Sequence, residues 1–182
     1  MRTFAPKVIE TARLTLRPFQ LNDADALFQY SKDEEFALFA MDGEPATIDS
    51  ARRRIERAVT TQWTDCQRFA ILREGLLIGS ITLRPEWSDM TAIVGYEIAR
   101  AQWGLGFATE AATAVIQYGF ECLGLERIYA RVDPRNASSL RVLAKLGMTR
   151  EGVLRRHLIR RGERVDRVYF GLLRDEWPSE SS

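Results

Sequence analysis

Histidine, cysteine and lysine are scarce in this chain, and each scarcity removes a class of chemistry. Of 182 residues one is a histidine, His157, and two are cysteines, Cys66 and Cys122. Their separation matches no metal-ligand spacing, so no metal site is expected and both thiols read as buried or idle. Only Lys7, Lys32 and Lys145 are lysines, the other basic residues being arginines, so a lysine marked out by its position is informative. No apolar run approaches the roughly eighteen residues of a membrane span, and Met1 to Glu10 has no apolar stretch after its basic residues. These absences predict a soluble, cytoplasmic protein without a membrane partner. Charge of one sign is missing too. Twenty-six basic against twenty-five acidic residues leave a net charge of +1, which argues against direct nucleic-acid binding, and any anion site must be local.

What is present fits one globular domain, residues 1–182 with a core over about 13–177, since 46% hydrophobic and 28% charged residues support a packed interior. Arg13 to Phe19 alternates as a first strand. Asn22 or Asp23 caps a helix with Ala26, Leu27 and Tyr30 at helical spacing, ending before Asp33-Glu34-Glu35. Asp42 to Thr47 reads as a loop. Thr47 or Asp49 opens a second helix to about Thr61, whose Arg52, Arg53, Arg54 and Arg57 form a solvated face or an anion-binding one. Arg68–Arg73 and Leu77–Leu83 flank Glu74-Gly75 as a hairpin, and Thr91–Ala99 follows across a loop from Arg84 to Met90. After a helix bearing Ala111, Ala112, Val115, Ile116 and Phe120, the strand Arg127–Val132 completes a crossover unit that favours parallel pairing. Asn136 caps a helix from Ser138 to Leu146 closed by Gly147, and Val153–Ile159 with Val165–Leu172 makes a last hairpin. Seven strands and this order describe an α+β, three-layer protein around a mixed sheet.

The chemistry concentrates at Tyr96 to Glu110, which reads as strand, glycine-bearing turn and first turn of a helix. A helix N-terminus leaves backbone N–H groups unpaired and carries partial positive charge, and Gly104 and Gly106 would let a phosphate approach without a Cβ in the way. A tight connection that uses glycine only for its dihedrals explains the same residues.

Trp103-Gly104-Leu105-Gly106-Phe107-Ala108-Thr109-Glu110-Ala111, the block Asn136-Ala137-Ser138-Ser139 running to Lys145-Leu146-Gly147-Met148, and Glu151 to Arg155 with Gly162, Asp166 and Tyr169 together resemble the GCN5-related N-acetyltransferase (GNAT) superfamily. The resemblance is to the branch of ribosomal-protein alanine N-acetyltransferases (RimJ/RimL-like), and Trp103 stands where most relatives carry Gln or Arg. It implies the GNAT fold, α/β/α with a mostly antiparallel seven-stranded sheet splayed between strands 4 and 5. It also implies an acetyl-CoA co-substrate, a primary-amine acceptor such as a protein N-terminus or a small molecule, and, by analogy, a homodimer through the last strands.

For the site, the resemblance implies pantetheine against Ile98 and Ala99, pyrophosphate on the N–H groups of Trp103, Gly104, Leu105, Gly106, Phe107, Ala108 and Thr109, and adenosine phosphate near Arg141 or Lys145. Asn136 would bond the cofactor arm as well as cap its helix. The family's tyrosine acid is replaced by Leu143, so Ser139 is expected to hydrogen-bond the departing thiolate. Glu97 is the carboxylate best placed to act as base, with a surface ion pair as its other reading, and Tyr96, Asp42, Glu44, Asp166 and His157 rank behind it. An amine of low pKa needs no dedicated base. A backbone N–H near Ile98 would receive the oxyanion. Acidic Asp33, Glu34, Glu35, Asp42 and Glu44 form a solvated loop or draw a cationic amine. The other functional readings are a non-catalytic acyl-CoA-binding regulator and a transferase of a longer acyl group such as succinyl.

Overall fold

A computed structural model describes residues 4–39 and 45–178; Asp42 and Glu44 lie outside it. One sheet orders its strands β1-β2-β3-β4-β5-β6-β8-β7. These are β1 (Ile9–Glu10), β2 (Thr15–Pro18), β3 (Gln67–Arg73), β4 (Leu76–Glu86), β5 (Thr91–Ile98), β6 (Arg127–Val132), β7 (Thr149–Arg160) and β8 (Glu163–Leu173). The helices are α1 (Ala24–Ser31), α2 (Glu34–Ala37), α3 (Ile48–Thr60), α4 (Phe107–Glu121) and α5 (Ala137–Lys145). All strand pairs are antiparallel except β5 with β6.

Local chemistry explains the boundaries. Thr47 and Ser50 exchange side-chain bonds with each other's backbone N–H, a capping box that starts α3. Asn136 Oδ1 accepts from Ser139 N at 3.0 Å and starts α5. Glu74 and Gly75 both have positive φ, 51° and 79°, the mirror-image turn whose twist matches that of the flanking strands. The acidic run expected to follow the first helix instead opens α2, where Asp33 caps through Phe36 N.

The strand β3 is buried on both sides, so its sequence does not alternate. Phe69 and Ile71 pack with Ile81, Leu83 and Val94 against Ala111, Ala112, Val115 and Ile116 of α4, with Leu143 of α5 in the same cluster. Ala70 and Leu72 face Leu27, Tyr30, Ala51 and Ile55 of α1 and α3. Helices therefore cover both faces, giving the three expected layers.

Two expectations are corrected. The sheet has eight strands rather than seven, because Ile9 and Glu10 pair with Leu16 and Thr15. Arg84-Pro85-Glu86, expected in a loop, continues β4 opposite Ile93, Ala92 and Thr91. Proline is tolerated there because β3 pairs with β4 only as far as Leu83, so the missing N–H at Pro85 lies at a strand end without a second neighbour. The final hairpin is also longer than expected and is bulged between Leu154 and Leu158. Arg156 takes φ 52° in that bulge, and Asp166 Oδ1 accepts its N–H at 2.7 Å, which explains the carboxylate at that position.

The feature that positions the site is the short pairing of β5 with β6. Only Thr91, Ala92 and Ile93 pair, with Arg127, Ile128 and Tyr129, and beyond them the strands part. These are the fourth and fifth of the strands read from the sequence, so the splay lies where it was expected. On β4, Gly79 sits against β5 so closely that an added Cβ would overlap the Glu97 carbonyl oxygen and lie 3.1 Å from Ile98 Cα. Gly79→Ala is expected to destabilise the protein by about 1–3 kcal/mol. A urea midpoint equal to wild type would show that β4 and β5 absorb the methyl group without cost.

Candidate active site

The parted strands enclose a cavity of about 110 Å³ lined by Val94, Gly95 and Tyr96 of β5, Ala130 to Asp133 around β6, and Asn136, Ser139 and Leu143 of α5, with Phe39 and Arg167 at its edge. Tyr96 and Ser139 meet inside it. The phenol oxygen lies 2.8 Å from Ser139 Oγ, where either oxygen can donate, and 3.3 Å from the Ser139 carbonyl, to which Tyr96 donates. Burial lifts the Tyr96 phenol to about 12, the Ser139 hydrogen bond opposing it, so Tyr96 is a proton donor and not a base. Leu143 is 1% exposed and belongs to the core, so it offers the cavity only an apolar wall.

Backbone groups along β5 decide what else the cleft presents. Ala99 N–H donates to the Ile78 carbonyl across the β4 pair, and Gln102 N–H donates to the Ala99 carbonyl. Both backbone groups of Ala99 are therefore committed. By the alternation of an antiparallel pair, Tyr96 and Ile98 turn their backbone groups away from β4 and toward the gap. The Ile98 carbonyl there accepts from Trp103 Nε1 at 2.7 Å. Trp103 thus spends its polar atom on the strand, and the Ile98 N–H faces the cleft.

The glycine turn is held from below. Gly104 and Gly106 take φ 77° and 83°, conformations that favour glycine, and α4 starts directly after Gly106. Trp103 N–H is used by the Arg100 carbonyl, whereas among the described residues no backbone acceptor takes the N–H of Gly104, Leu105 or Gly106. The first-turn N–H groups of Phe107, Ala108 and Thr109 add to them. Arg13 donates to the Leu105 carbonyl at 3.1 Å and pairs with Glu110 at 2.6 Å. Its guanidinium lies 4.5 Å from the centre of the buried Phe107 ring, and that of Arg73 lies 5.1 Å from it. Burial would raise the Glu110 carboxyl, but bonds from Thr11 and Arg13 outweigh it and hold its pKa below the usual range. Beside the turn runs an open groove of about 720 Å³ whose lining includes Gly106, Thr109, Thr113 and Lys145. Arg141 is exposed, lines neither cavity and donates to Ser138 Oγ at 3.3 Å.

Glu97 follows Tyr96 but lies on the opposite face of the sheet. Its Oε1 accepts from Arg54 at 2.6 Å, from the Tyr30 hydroxyl at 3.1 Å and from Ser80 at 3.1 Å. The ion pair was the second of its two readings, and it joins Glu97 to an arginine of the face read as solvated. Tyr30 is held protonated, its pKa raised first by burial and then by the Glu97 charge. His157 is exposed on β7, edge-on to Tyr169. Asp133 is buried and takes Arg135 through both oxygens; burial pushes its pKa up, but the Arg135 bonds and the Arg167 charge pull it below the usual range.

Residues 13–149 match the family described as the acetyltransferase (GNAT) domain. The chain belongs to the GNAT acetyltransferase family. It is 35% identical over 176 residues to the uncharacterized N-acetyltransferase p20 of Bacillus licheniformis, over 94% of this chain and 98% of that one. A GNAT-family acetyltransferase from Bacillus anthracis superposes with a TM-score of 0.84 at 27% identity, covering 93% of this chain and 100% of that one. Mycobacterium smegmatis RimJ in complex with CoA-disulfide superposes with a TM-score of 0.81 at 26% identity, covering 96% and 88%. The family and fold implied by the glycine and Asn-x-x-Ser blocks are thus those of the protein, an N-acetyltransferase.

This N-acetyltransferase brings Asn136 and Ser139 to the cleft, and Gly106, Thr109 and Lys145 to the groove. Sequence reasoning ranked Tyr96 only among reserve bases. The available signal was strand parity, since Tyr96 shares a face with Ile98 and lies one strand position toward the splay. Nothing in the sequence pointed to Arg13, Arg73 or Arg167. An alkaline titration tests the Tyr96 environment. The unfolded phenol ionises near pH 10 and the folded one near 12, so ionisation favours the unfolded chain as pH rises between them and stability falls. Tyr96→Phe is expected to lose less stability than wild type between about pH 9 and 11 in urea melts; equal losses would place Tyr96 in contact with water.

Proposed function

We propose that this enzyme is acetyl-CoA-dependent and acetylates a primary amine, a protein N-terminal α-amine or a small amine, in the manner of the branch that acts on ribosomal-protein N-termini. The observation that carries the reading is the Tyr96–Ser139 hydrogen bond in the gap between β5 and β6, beside a glycine turn with unpaired N–H groups. The pyrophosphate lies on the N–H groups from Gly104 to Thr109, with Lys145 in the groove for the adenosine phosphate. Pantetheine runs along the Tyr96 and Ile98 backbone, and the Asn136 side-chain NH₂ reaches it, the Asn136 oxygen being used by its own helix.

The amine attacks the thioester carbonyl carbon, and the oxyanion takes the Ile98 N–H. As the C–S bond breaks, the thiolate takes the proton of the Ser139 hydroxyl, Tyr96 passes its proton to Ser139, and Tyr96 regains one from water. The amine's proton leaves to water. Glu97 is committed to Arg54, Tyr30 and Ser80 on the face opposite the cleft, so it is not assigned the role of base.

The missing family tyrosine gives some weight to a non-catalytic regulator; the phenol that Tyr96 brings to the cleft from the facing strand supports the transferase reading instead. A cavity this small favours acetyl over succinyl. Residues 1–182 act as one catalytic unit in the cytoplasm, and the edge strand β7, with Val153, Leu154 and Ile159 exposed, is the surface on which a homodimer would pair.

Tyr96→Phe and Ser139→Ala should each lower kcat by about a hundredfold while leaving acetyl-CoA affinity near wild type, and the double variant should lose little more than either. Wild-type turnover in both would remove the pair from the mechanism. Gly106→Trp should abolish acetyl-CoA binding in calorimetry, and unchanged affinity would sink the pyrophosphate assignment.

A further inference from the structure

Like the more exposed Arg131, Arg167 is a charged group in the cleft that the mechanism leaves unused. It rises from β8 to line the cavity beside Tyr96, Asn136 and Ser139, is half-buried, and makes no hydrogen bond or ion pair among the described residues. Its charged neighbours are Arg160, Asp133 and Arg131, with Tyr169 also near. Asp133 is the one carboxylate among them, and both of its oxygens already hold Arg135. Arg160 is buried, donates to the uncharged Leu38 carbonyl at 2.7 Å, and shares the charge of the same Asp133. Burial and then the Arg160 charge lower the Arg167 pKa, as expected of a cation crowded by cations.

The acidic residues on the acceptor side are in the reverse position. Asp33 and Glu35 pair with Arg100, Glu34 with Arg161, and Glu97 with Arg54. Each described carboxylate of the acidic loop thus has an arginine partner, three carboxylates sharing two arginines, which weakens the support for a polycationic amine. Among the described residues, the charge at the cavity without a bonded partner is positive.

We infer that the acceptor is a primary amine carrying a carboxylate or phosphate a few bonds from the nitrogen, and that Arg167 binds that anion and so selects the substrate. The planar guanidinium suits both oxyanions, and Phe39 and Leu143 limit the space around them, so the anion fixes where the amine lies relative to the thioester. The inference rests on the transferase reading.

The test compares matched acceptors by CoA release: a peptide with Glu at its second position against one with Gln, glycine against glycinamide, and 2-aminoethyl phosphate against ethanolamine. In at least one pair the anionic member should have a kcat/KM at least about tenfold higher, the size of a charge-assisted contact, and that pair tells whether the anion comes from a peptide side chain, a free carboxylate or a phosphate. Arg167→Gln should collapse that ratio through KM, Arg167→Lys should restore part of it, and both should keep acetyl-CoA affinity. A second measurement needs no variant: inorganic phosphate should inhibit wild type competitively against the amine and not against acetyl-CoA. Equal or better use of the neutral member in every pair, a ratio unchanged in Arg167→Gln, or no competition by phosphate would each overturn the inference while the transferase reading stands. Acetyl-CoA binding with no CoA release from any acceptor would overturn both.

Discussion

The structure depends on one discontinuity in its sheet. β5 stays paired with β4 as far as Ile98 and β6 stays paired with β8 as far as Val132, yet the two halves share only three residue pairs before they separate. A separation inside a sheet leaves N–H and C=O groups without strand partners, and such groups must be satisfied or solvated. The protein meets part of this need itself. Trp103 bonds the Ile98 carbonyl, Ile78 and Gln102 take both groups of Ala99, and the first turn of α5 sits at the gap with Asn136 and Ser139. The Ile98 N–H and the Tyr96 backbone are then turned toward the gap between β5 and β6.

The glycine turn is organised on the same principle, by groups that hold its far side so that its near side is presented. Arg13 ties the Leu105 carbonyl to Glu110, while Arg13 and Arg73 both lie against Phe107. Glu110, in the first turn of α4, also opposes the positive end of that helix. A loop fixed this way loses little conformational entropy when an anion docks, so more of each N–H contact appears as affinity. Trp103 fits this account better as part of the scaffold than as a ligand contact.

What was legible in the sequence was local or periodic. Thr47, one of two residues read as opening α3, Asn136 as a cap, the hairpin turn at Glu74-Gly75, and the apolar face of α4 depend on residues a few positions apart, and the structure has them. The failures depend on distant neighbours. Pro85 looked like a loop residue because whether a strand tolerates proline turns on where β3 ends. Glu97 was ambiguous because its partner Arg54 is 43 positions away, and Tyr96 was undervalued because Ser139 is equally distant. Arg167 could not be singled out among so many arginines, since its standing comes from the partners its neighbours already have.

Tyr96 and Glu97 show how adjacent residues come to lie in different surroundings. Alternation sends the phenol to the face of α4 and α5 and the carboxylate to the face of α1 and α3, so the sheet separates them although they share a peptide bond. Burial keeps the phenol protonated, and its bond ties it to Ser139. The carboxylate is enclosed by a guanidinium and two hydroxyls, and removing Arg54 would leave a partly buried charge unpaired. In the proposed reaction the sheet lies between Glu97 and the Tyr96–Ser139 pair, which fits release of the amine's proton to solvent. On that reading the acceptor's position is set by contacts other than its amine, and Arg167 is a cation of the cleft with no bonded partner among the described residues.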